Sequence, residues 1–376
     1  MSDRLDPLED LTGDLFVDRH DELEMFWKWA TDIPKFSLHS FALIGRRRTG
    51  KTAILIKLFN RLFYEQKKVL PVFISFAQFL HRQEPLSSYE FAEHYFSGYI
   101  RSYFAFRYRE PMFLRQRYRF NELRQFAHQV SDEYALNLFK RYDSAADRPI
   151  PFGLVDWVIN FPSGEAAVND MPTAMIVDEF QVLTNVYDPR QDIHHDLTDS
   201  FQHAVETRWA PMLLSGSAVS LFVSQALGGM LQGRFRYHYL KPILREYTHD
   251  LTFRLGDDSG ISVTEELAEA IWQLTDGNPH SVQSLMNSTS PAQRNLPDID
   301  ALEEVVTYEL SNPNGQLWQH YSHEFEKFSH QLNEGKTTRH LMLWVTKYPD
   351  QRVDADITVT HWYFQRLVLL YFLVKA

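Results

Sequence analysis

An α/β fold is predicted by three observations. Short apolar runs alternate with helical patterns as far as Pro242; residues 41–76 read as strand, turn, helix and strand; and beyond Pro242 the strand signals stop. In chain order, Phe16–Ala30 reads as a lead-in and an amphipathic helix. Phe41–Ile44 is a first apolar strand, Lys51 to about Glu65 a helix, and Val69–Phe76 a β-rich second strand, so the three make a βαβ unit. Pro85–Ala146 carries long helical patterns dense in Tyr, Phe and Arg and reads as a helical insertion. Turn residues at Pro162–Gly164 and Asn169–Pro172 lead to a third strand, Ala174–Val177. Leu197–Arg208 reads as a helix, Met212–Leu214 as a fourth strand, Ser217–Ala226 as a helix and Tyr237–Leu240 as a fifth strand. Helices follow at Thr264–Thr275 and Ser281–Asn287, separated by the break Gly277–Pro279, and then at Leu302–Leu310 and Trp318–Leu332.

The 376 residues are enough for two or three domains, and 44% hydrophobic with 23% charged residues is ordinary for a folded soluble chain. A formal net charge of -11 argues against the whole protein being an electrostatic sleeve for nucleic acid. The absence of cysteine excludes disulfides, thiolate catalysis and cysteine-ligated zinc. Met1–Asp14 is polar and acidic, without the apolar stretch of a secretory signal. The late apolar run Leu367–Val374 is far short of the roughly 20 residues of a spanning helix. A cytoplasmic protein without a membrane partner is the expectation.

Gly45-Arg46-Arg47-Arg48-Thr49-Gly50-Lys51-Thr52 matches the spacing G-x-x-x-x-G-K-[ST] between the first strand and its helix. The glycines let the backbone curl so that amide N–H groups point inward at a phosphate. The helix that opens at Lys51, Thr52 and Ala53 aims its positive end at the same place. Lys51 would meet the β- and γ-phosphates of ATP, and the Thr52 hydroxyl would coordinate Mg²⁺. Arg46, Arg47 and Arg48 either add positive field over the phosphates or stay solvated at the loop tip.

A phosphate loop needs a metal carboxylate and a group that orients water. Met175-Ile176-Val177-Asp178-Glu179 offers both at a strand's carboxyl end, where ligands of open α/β sheets sit. Asp178 would hold Mg²⁺, mostly through its water shell, and Glu179 would polarise the attacking water. The tandem carboxylates favour hydrolysis to ADP and phosphate, as a slow ATPase, over binding alone.

At this point the chain resembles the archaeal-type ATPases of the STAND branch of AAA+ P-loop proteins. Leu15–Leu23 is similar to their opening box, which contains Arg19, although Asp18 stands where the box has glycine. Leu213-Leu214-Ser215-Gly216-Ser217 resembles their fourth-strand sensor, Leu231-Gln232-Gly233-Arg234 the Gly-Arg before the fifth strand, and Thr275–Pro279 the Gly-x-Pro of a helical lid. The resemblance covers roughly residues 14–290 and implies a parallel sheet of order 5-1-4-3-2. It further implies a core over 1–242 with the insertion at about 85–150, a lid over 243–295, and a helical, winged-helix-like domain over 296–376. Wing strands are not evident there, so that domain is incomplete or degenerate, and a chain ending on such an apolar run either buries its tail or belongs to a longer protein. Such proteins are nucleotide-driven switches that often form homo-oligomers when ATP is bound.

Individual residues carry two readings each. Ser215 either donates to the γ-phosphate or the lytic water, or caps its strand; Ser217 reads as a helix N-cap. Arg234 either neutralises transition-state charge, in its own subunit or a neighbour's, or pairs with a surface carboxylate, and Arg236 is the next choice. Arg19 and Pro279 are expected near the base or ribose, with a plain helix break as the alternative for Pro279. Ser220 stands where a hydrolase elbow needs its second glycine, which removes that reading. His194, His195 and His203 diverge too far for a metal site. Between Arg101 and Arg141 nine basic residues face four acidic ones, with tyrosines and phenylalanines interleaved. The insertion could bind DNA or RNA by tracking phosphates and stacking bases, dock a protein partner, or bury its rings as a core with a solvated basic face. A nucleotide-gated nucleic-acid regulator, or an assembly scaffold with a slow or inert ATP site, is the alternative to a hydrolysing switch.

Overall fold

The structure is a computed structural model. It describes all residues except 1–4, 11–12, 36–38, 81, 83, 149–152, 185, 191, 196, 206–207, 217–234, 297 and 323–376. The chain divides into two compact units, Met1–Lys241 and Pro242–Ala376.

The first unit is built on five parallel strands: β1 (Ser40–Ile44), β2 (Leu70–Ser75), β4 (Thr173–Asp178), β7 (Met212–Gly216) and β8 (Phe235–Tyr239). Their order is β2-β4-β7-β1-β8. Counting these five alone in chain order and reading from the other edge, that is 5-1-4-3-2, the arrangement the family resemblance implied. β4 and β7 are buried along their whole length, as strands covered on both faces must be, which explains their continuous rather than alternating apolar runs.

Helix α1 (His20–Thr31) precedes the sheet, and α2 (Lys51–Glu65) follows the phosphate loop. Ile54, Leu55, Leu58, Phe59, Leu62 and Phe63 form the single buried stripe of α2, the spacing that made it legible. Between β2 and β4 lie a two-residue strand, β3 (Leu86–Ser87), and five helices: α3 (Ser88–Tyr108), α4 (Met112–Arg115), α5 (Phe120–Gln129), α6 (Glu133–Ala146) and α7 (Gly153–Val168). A capping box starts α3: Ser87 Oγ accepts from the Glu90 amide while Glu90 returns to the Ser87 amide. The same helix covers the open edge of β2, where Ser102 Oγ accepts from the Phe73 amide (3.1 Å) and His94 Nε2 lies 2.9 Å from the Ser75 carbonyl.

Helices continue between β2 and β4 as far as Val168, past the 85–150 expected for the insertion. The turn expected at Pro162–Gly164 is corrected: Pro162 lies inside α7. An interior proline costs a helix about 3 kcal/mol. Burial of Leu154, Val155, Val158, Ile159, Phe161 and Pro162 itself offsets that cost, with Trp157 stacked on Phe161 at 5.0 Å. A second small sheet, unforeseen, joins β3 to β5 (Val186–Asp188) in parallel and β5 to β6 (Ile193–His195) antiparallel. Helix α8 (Thr198–Val205) then leads back towards β7.

The insertion's rings form its core. Tyr95, Tyr99, Tyr103 and Phe113 are buried, Phe106, Tyr118 and Phe120 pack against them, and the Tyr108 hydroxyl donates to Asp132 (2.8 Å). Several arginines are likewise engaged: Arg109 with the Phe63 carbonyl, Arg115 with the Asp6 carbonyl (2.6 Å), Arg124 with Asp143 (2.7 Å) and Arg141 with Glu165. Base stacking on this surface has lost most of its platform.

The second unit holds α9 (Arg245–Ser259), α10 (Glu265–Thr275), α11 (Pro279–Met286) and α12 (Ile299–Ser311). The first of these was missed in the sequence, because Thr248, Thr252 and Gly256 share its buried face with Leu251 and Leu255 and blur the apolar stripe. The break between α10 and α11 is a compact device. Asp276 and Gly277 are left-handed (φ 52° and 67°), and Asn278 caps α11 by accepting from the His280 and Ser281 amides. A Cβ on Gly277 would sit 2.1 Å from the Ile243 carbonyl oxygen. Gly277→Ala is therefore expected to destabilise this unit by at least about 1–3 kcal/mol; an unchanged urea midpoint would refute the packing described. The winged helix expected within 296–376 and the end of the helix at Trp318–Leu332 fall largely outside the described residues.

Candidate functional site

β1, β4 and β7 place three motif ends side by side. Leu43 pairs with Ser215 and Ile44 with Gly216, while Val177 pairs with Leu214. Gly45, Asp178 and Ser215 consequently emerge on one carboxyl edge, and Asp178, one residue beyond the Val177–Leu214 pair, is within reach of both neighbouring motifs.

The loop turns through Arg48 (φ 60°) and Gly50 (φ 94°), both left-handed, and Gly50 is the N-cap residue of α2. Nothing crowds a side chain at Gly50; the backbone conformation itself calls for glycine. Thr49 Oγ1 donates to the Arg46 carbonyl (2.8 Å) and closes the loop. Lys51 is buried at 5% exposure, and its ammonium donates to the Gly45 carbonyl (3.0 Å) and to the Arg46 carbonyl. The lysine thus already points into its own loop. Ala53 is half-buried in the first turn of α2, as are Arg46 and Arg47 in the loop, and Arg48 is exposed.

Asp178 is the centre of the arrangement. It is 1% exposed, Thr52 Oγ1 donates to its Oδ2 (2.9 Å), and Ser215 Oγ, itself fully buried, donates to its Oδ1. Burial raises its pKa above the ordinary aspartate value, and the neighbouring charge of Glu179 adds to the rise; the hydroxyls of Ser215 and Thr52 and the Lys51 ammonium oppose it. Thr52, from the phosphate loop, and Asp178, from a strand more than a hundred residues on, are bonded directly, so the first and third strands deliver one joint site.

A carboxylate with a raised folded-state pKa favours folding below its unfolded pKa, and that contribution is lost as pH rises through the raised value. Asp178→Asn is thus expected to make the ligand-free protein more heat-stable at neutral pH, by about 2–4 °C for each kcal/mol of relieved burial cost. The gain should shrink towards acid pH and be accompanied by loss of any magnesium-dependent stabilisation. A variant that melts below its parent at pH 7.5 would show that Asp178 is a structural rather than a ligand-directed acid.

Glu179 follows in a left-handed conformation (φ 58°), half-buried, with Gln181 Nε2 donating to its Oε2. Gln181 was not foreseen: its approach depends on the tight 3₁₀ turn of Phe180–Thr184, which the residue spacing does not reveal.

Arg19 and Asp18 are both left-handed (φ 70° and 62°), which accounts for the glycine that Asp18 replaces. Arg19 is 4% exposed, donates to the Lys241 carbonyl (2.7 Å) and lies near Glu22 (3.7 Å). Glu22 also faces His238 of β8 (3.6 Å), whose hydrogen bond is the main cause of its lowered pKa. The opening box therefore fastens α1 to the fifth strand and to the chain just beyond it. Pro279 is the first residue of α11 in the second unit, behind its Asn278 cap. Arg236 is exposed on β8. Arg234, Gly233, Ser217 and Ser220 lie outside the described residues. Among those described, no cluster of His, Cys, Asp and Glu forms a candidate metal cage, and no helix is long and apolar enough to cross a membrane.

No protein-family model matches the sequence, and no curated protein does either. Solved structures do. A Walker-type ATPase of Pyrococcus abyssi superposes with a TM-score of 0.54 at 14% identity, covering 96% of this chain and 89% of that one. The fold is that of a P-loop nucleoside triphosphatase with an AAA-type sheet. The ORC2 protein of Aeropyrum pernix, in complexes with ADPNP and ADP, superposes more loosely, with a TM-score of 0.41 at 12% identity over 98% of this chain and 88% of that one. Domain III of the replication initiation protein DnaA from Thermotoga maritima gives 0.39 at 10% identity, over 79% and 96%.

Proposed function

We propose that this chain is an ATP-hydrolysing molecular switch of the AAA type, close to its STAND branch, that couples its magnesium–ATP state to conformation or self-association. The observation that carries the reading is the bond between Thr52 and Asp178 beside the inward-pointing Lys51. A phosphate loop's hydroxyl and a strand-end acid meet where a metal and a triphosphate would be held.

The residues fit that ligand. Lys51 would exchange its loop carbonyls for β- and γ-phosphate oxygens, while amides at the start of α2 donate to the β-phosphate. Thr52 would turn its oxygen from Asp178 to Mg²⁺, and Asp178, relieved of a buried unpaired charge, would hold the metal's waters. The metal ion would supply positive charge to the phosphate oxygens. Glu179 would polarise the attacking water, and Ser215 would donate to it or to the γ-phosphate. Arg46, Arg47 and Arg48 would add positive field at the loop. Arg234 is assigned to transition-state charge, and Arg19 and Pro279 to the base side, with residues 243–295 as the lid and 296–376 as the coupled helical domain.

Steady-state phosphate release tests the reading. Slow release that saturates with ATP and stops when EDTA removes magnesium is expected. Release indifferent to EDTA, or none at all with ATP bound, would remove the enzyme claim. Sedimentation with ATP and with ADP tests the coupling: identical profiles and identical proteolytic patterns in the two states would leave a fixed scaffold.

A further inference from the structure

We infer that Gln181 is a positioning residue that fixes the carboxylate of Glu179 for attack by water. The inference rests on the reading of Glu179 given above and adds to it a residue that neither the phosphate loop nor the acidic pair contains.

Three observations support it. Gln181 is 8% exposed, and its amide nitrogen donates to Glu179 Oε2, two residues back. The geometry requires an unusual backbone: Glu179 is left-handed at φ 58°, a conformation that costs a residue with a Cβ about 1 kcal/mol or more and that persists only where its surroundings impose it. The surroundings do so here. Phe180 is fully buried against Phe201 (ring centroids 4.9 Å, nearly perpendicular), Leu183 is 1% exposed, and the Leu197 amide donates to the Leu183 carbonyl (3.1 Å). Val182 N–H closes the turn onto the Glu179 carbonyl (3.2 Å). The turn that carries Gln181 is thus clamped into the core on one side while its amide faces the carboxylate on the other.

The chemistry asks for such a partner. A glutamate has three rotatable side-chain bonds, and a general base is effective only when its oxygen stays within hydrogen-bond reach of the water. A neutral amide can hold one carboxylate oxygen without cancelling the charge, as a lysine or arginine would. Glu179 and Gln181 should therefore act as a unit, and units give non-additive effects when their members are removed.

A double-mutant cycle read by kcat and by ATP Kd tests this. Gln181→Leu should lower kcat by about 10- to 100-fold and leave ATP Kd within about twofold. Gln181→Glu keeps the shape, removes the donor and should lose at least as much. In the Glu179→Gln background, Gln181→Leu should have almost no further effect. If Glu179→Gln is impaired while Gln181→Leu hydrolyses within about twofold of the parent, or if the two losses multiply, the positioning role is overturned and the base remains. If Glu179→Gln hydrolyses like the parent, the base assignment itself has failed and the positioning role falls with it. A loss in Gln181→Leu that appears in Kd rather than kcat identifies a structural role and likewise overturns the inference.

Discussion

Glu179→Gln is expected to lower the rate of ATP hydrolysis by about 100- to 1,000-fold, the range for removing a positioned general base, while ATP affinity stays within about twofold. The substitution preserves volume, and a glutamine carbonyl at this position can still accept from Gln181. What it removes is the negative charge that, on the proposed reading, would draw a proton from water. A half-buried carboxylate at the end of β4, one residue from a fully buried aspartate, has no packing role large enough to mask that effect. Single-turnover hydrolysis together with equilibrium binding of a fluorescent ATP analogue separates the two quantities. A matching fall in affinity would place Glu179 among the binding groups instead, and an unchanged rate would assign the water to another residue.

Lys51→Ala is expected to weaken ATP binding by about 100-fold or more, since charge-assisted bonds to phosphate are each worth about 1.5–3 kcal/mol. In the ligand-free protein the lysine is nine-tenths buried and satisfied by the Gly45 and Arg46 carbonyls. Its removal leaves those carbonyls to water, so a modest loss of stability accompanies the loss of affinity. The control is Lys51→Arg: a planar guanidinium does not reproduce the compact ammonium that donates to the Gly45 and Arg46 carbonyls, and it should not restore binding. ATP-dependent thermal stabilisation reads both variants. Retained stabilisation in Lys51→Ala would contradict the cradle.

Much of this was legible because local and global signals agree at the same residues. The phosphate loop lies between an apolar strand and a helix with one clean stripe, and the observed strand order is the one that the family resemblance implied. Asp178 and Glu179 could be chosen because a strand of uninterrupted apolar residues ends on them. The failures share a cause: tertiary context overrode a local signal. Pro162 reads as a turn, yet burial on every side keeps it helical. The helix Arg245–Ser259 reads as nothing definite because threonines and a glycine take part in its buried face. Strands two or three residues long at Leu86–Ser87, Val186–Asp188 and Ile193–His195 have too little periodicity to be seen. The Gln181–Glu179 contact depends on one left-handed residue, which no spacing rule encodes. The interleaved rings of the insertion show the opposite case, in which the plain reading, rings as core, is the one the structure supports.

The central claim is that the loop of Gly45–Thr52 and the acids of Asp178–Glu179 enclose one nucleotide. The most direct measurement is a crystal structure of the full chain with a non-hydrolysable ATP analogue and magnesium. The account predicts Lys51 Nζ within hydrogen-bond distance of β- and γ-phosphate oxygens, Thr52 Oγ1 on the metal, and Asp178 joined to that metal directly or through its waters. A nucleotide seated away from Lys51, or Asp178 still bonded to Thr52 with the analogue bound elsewhere, would contradict it.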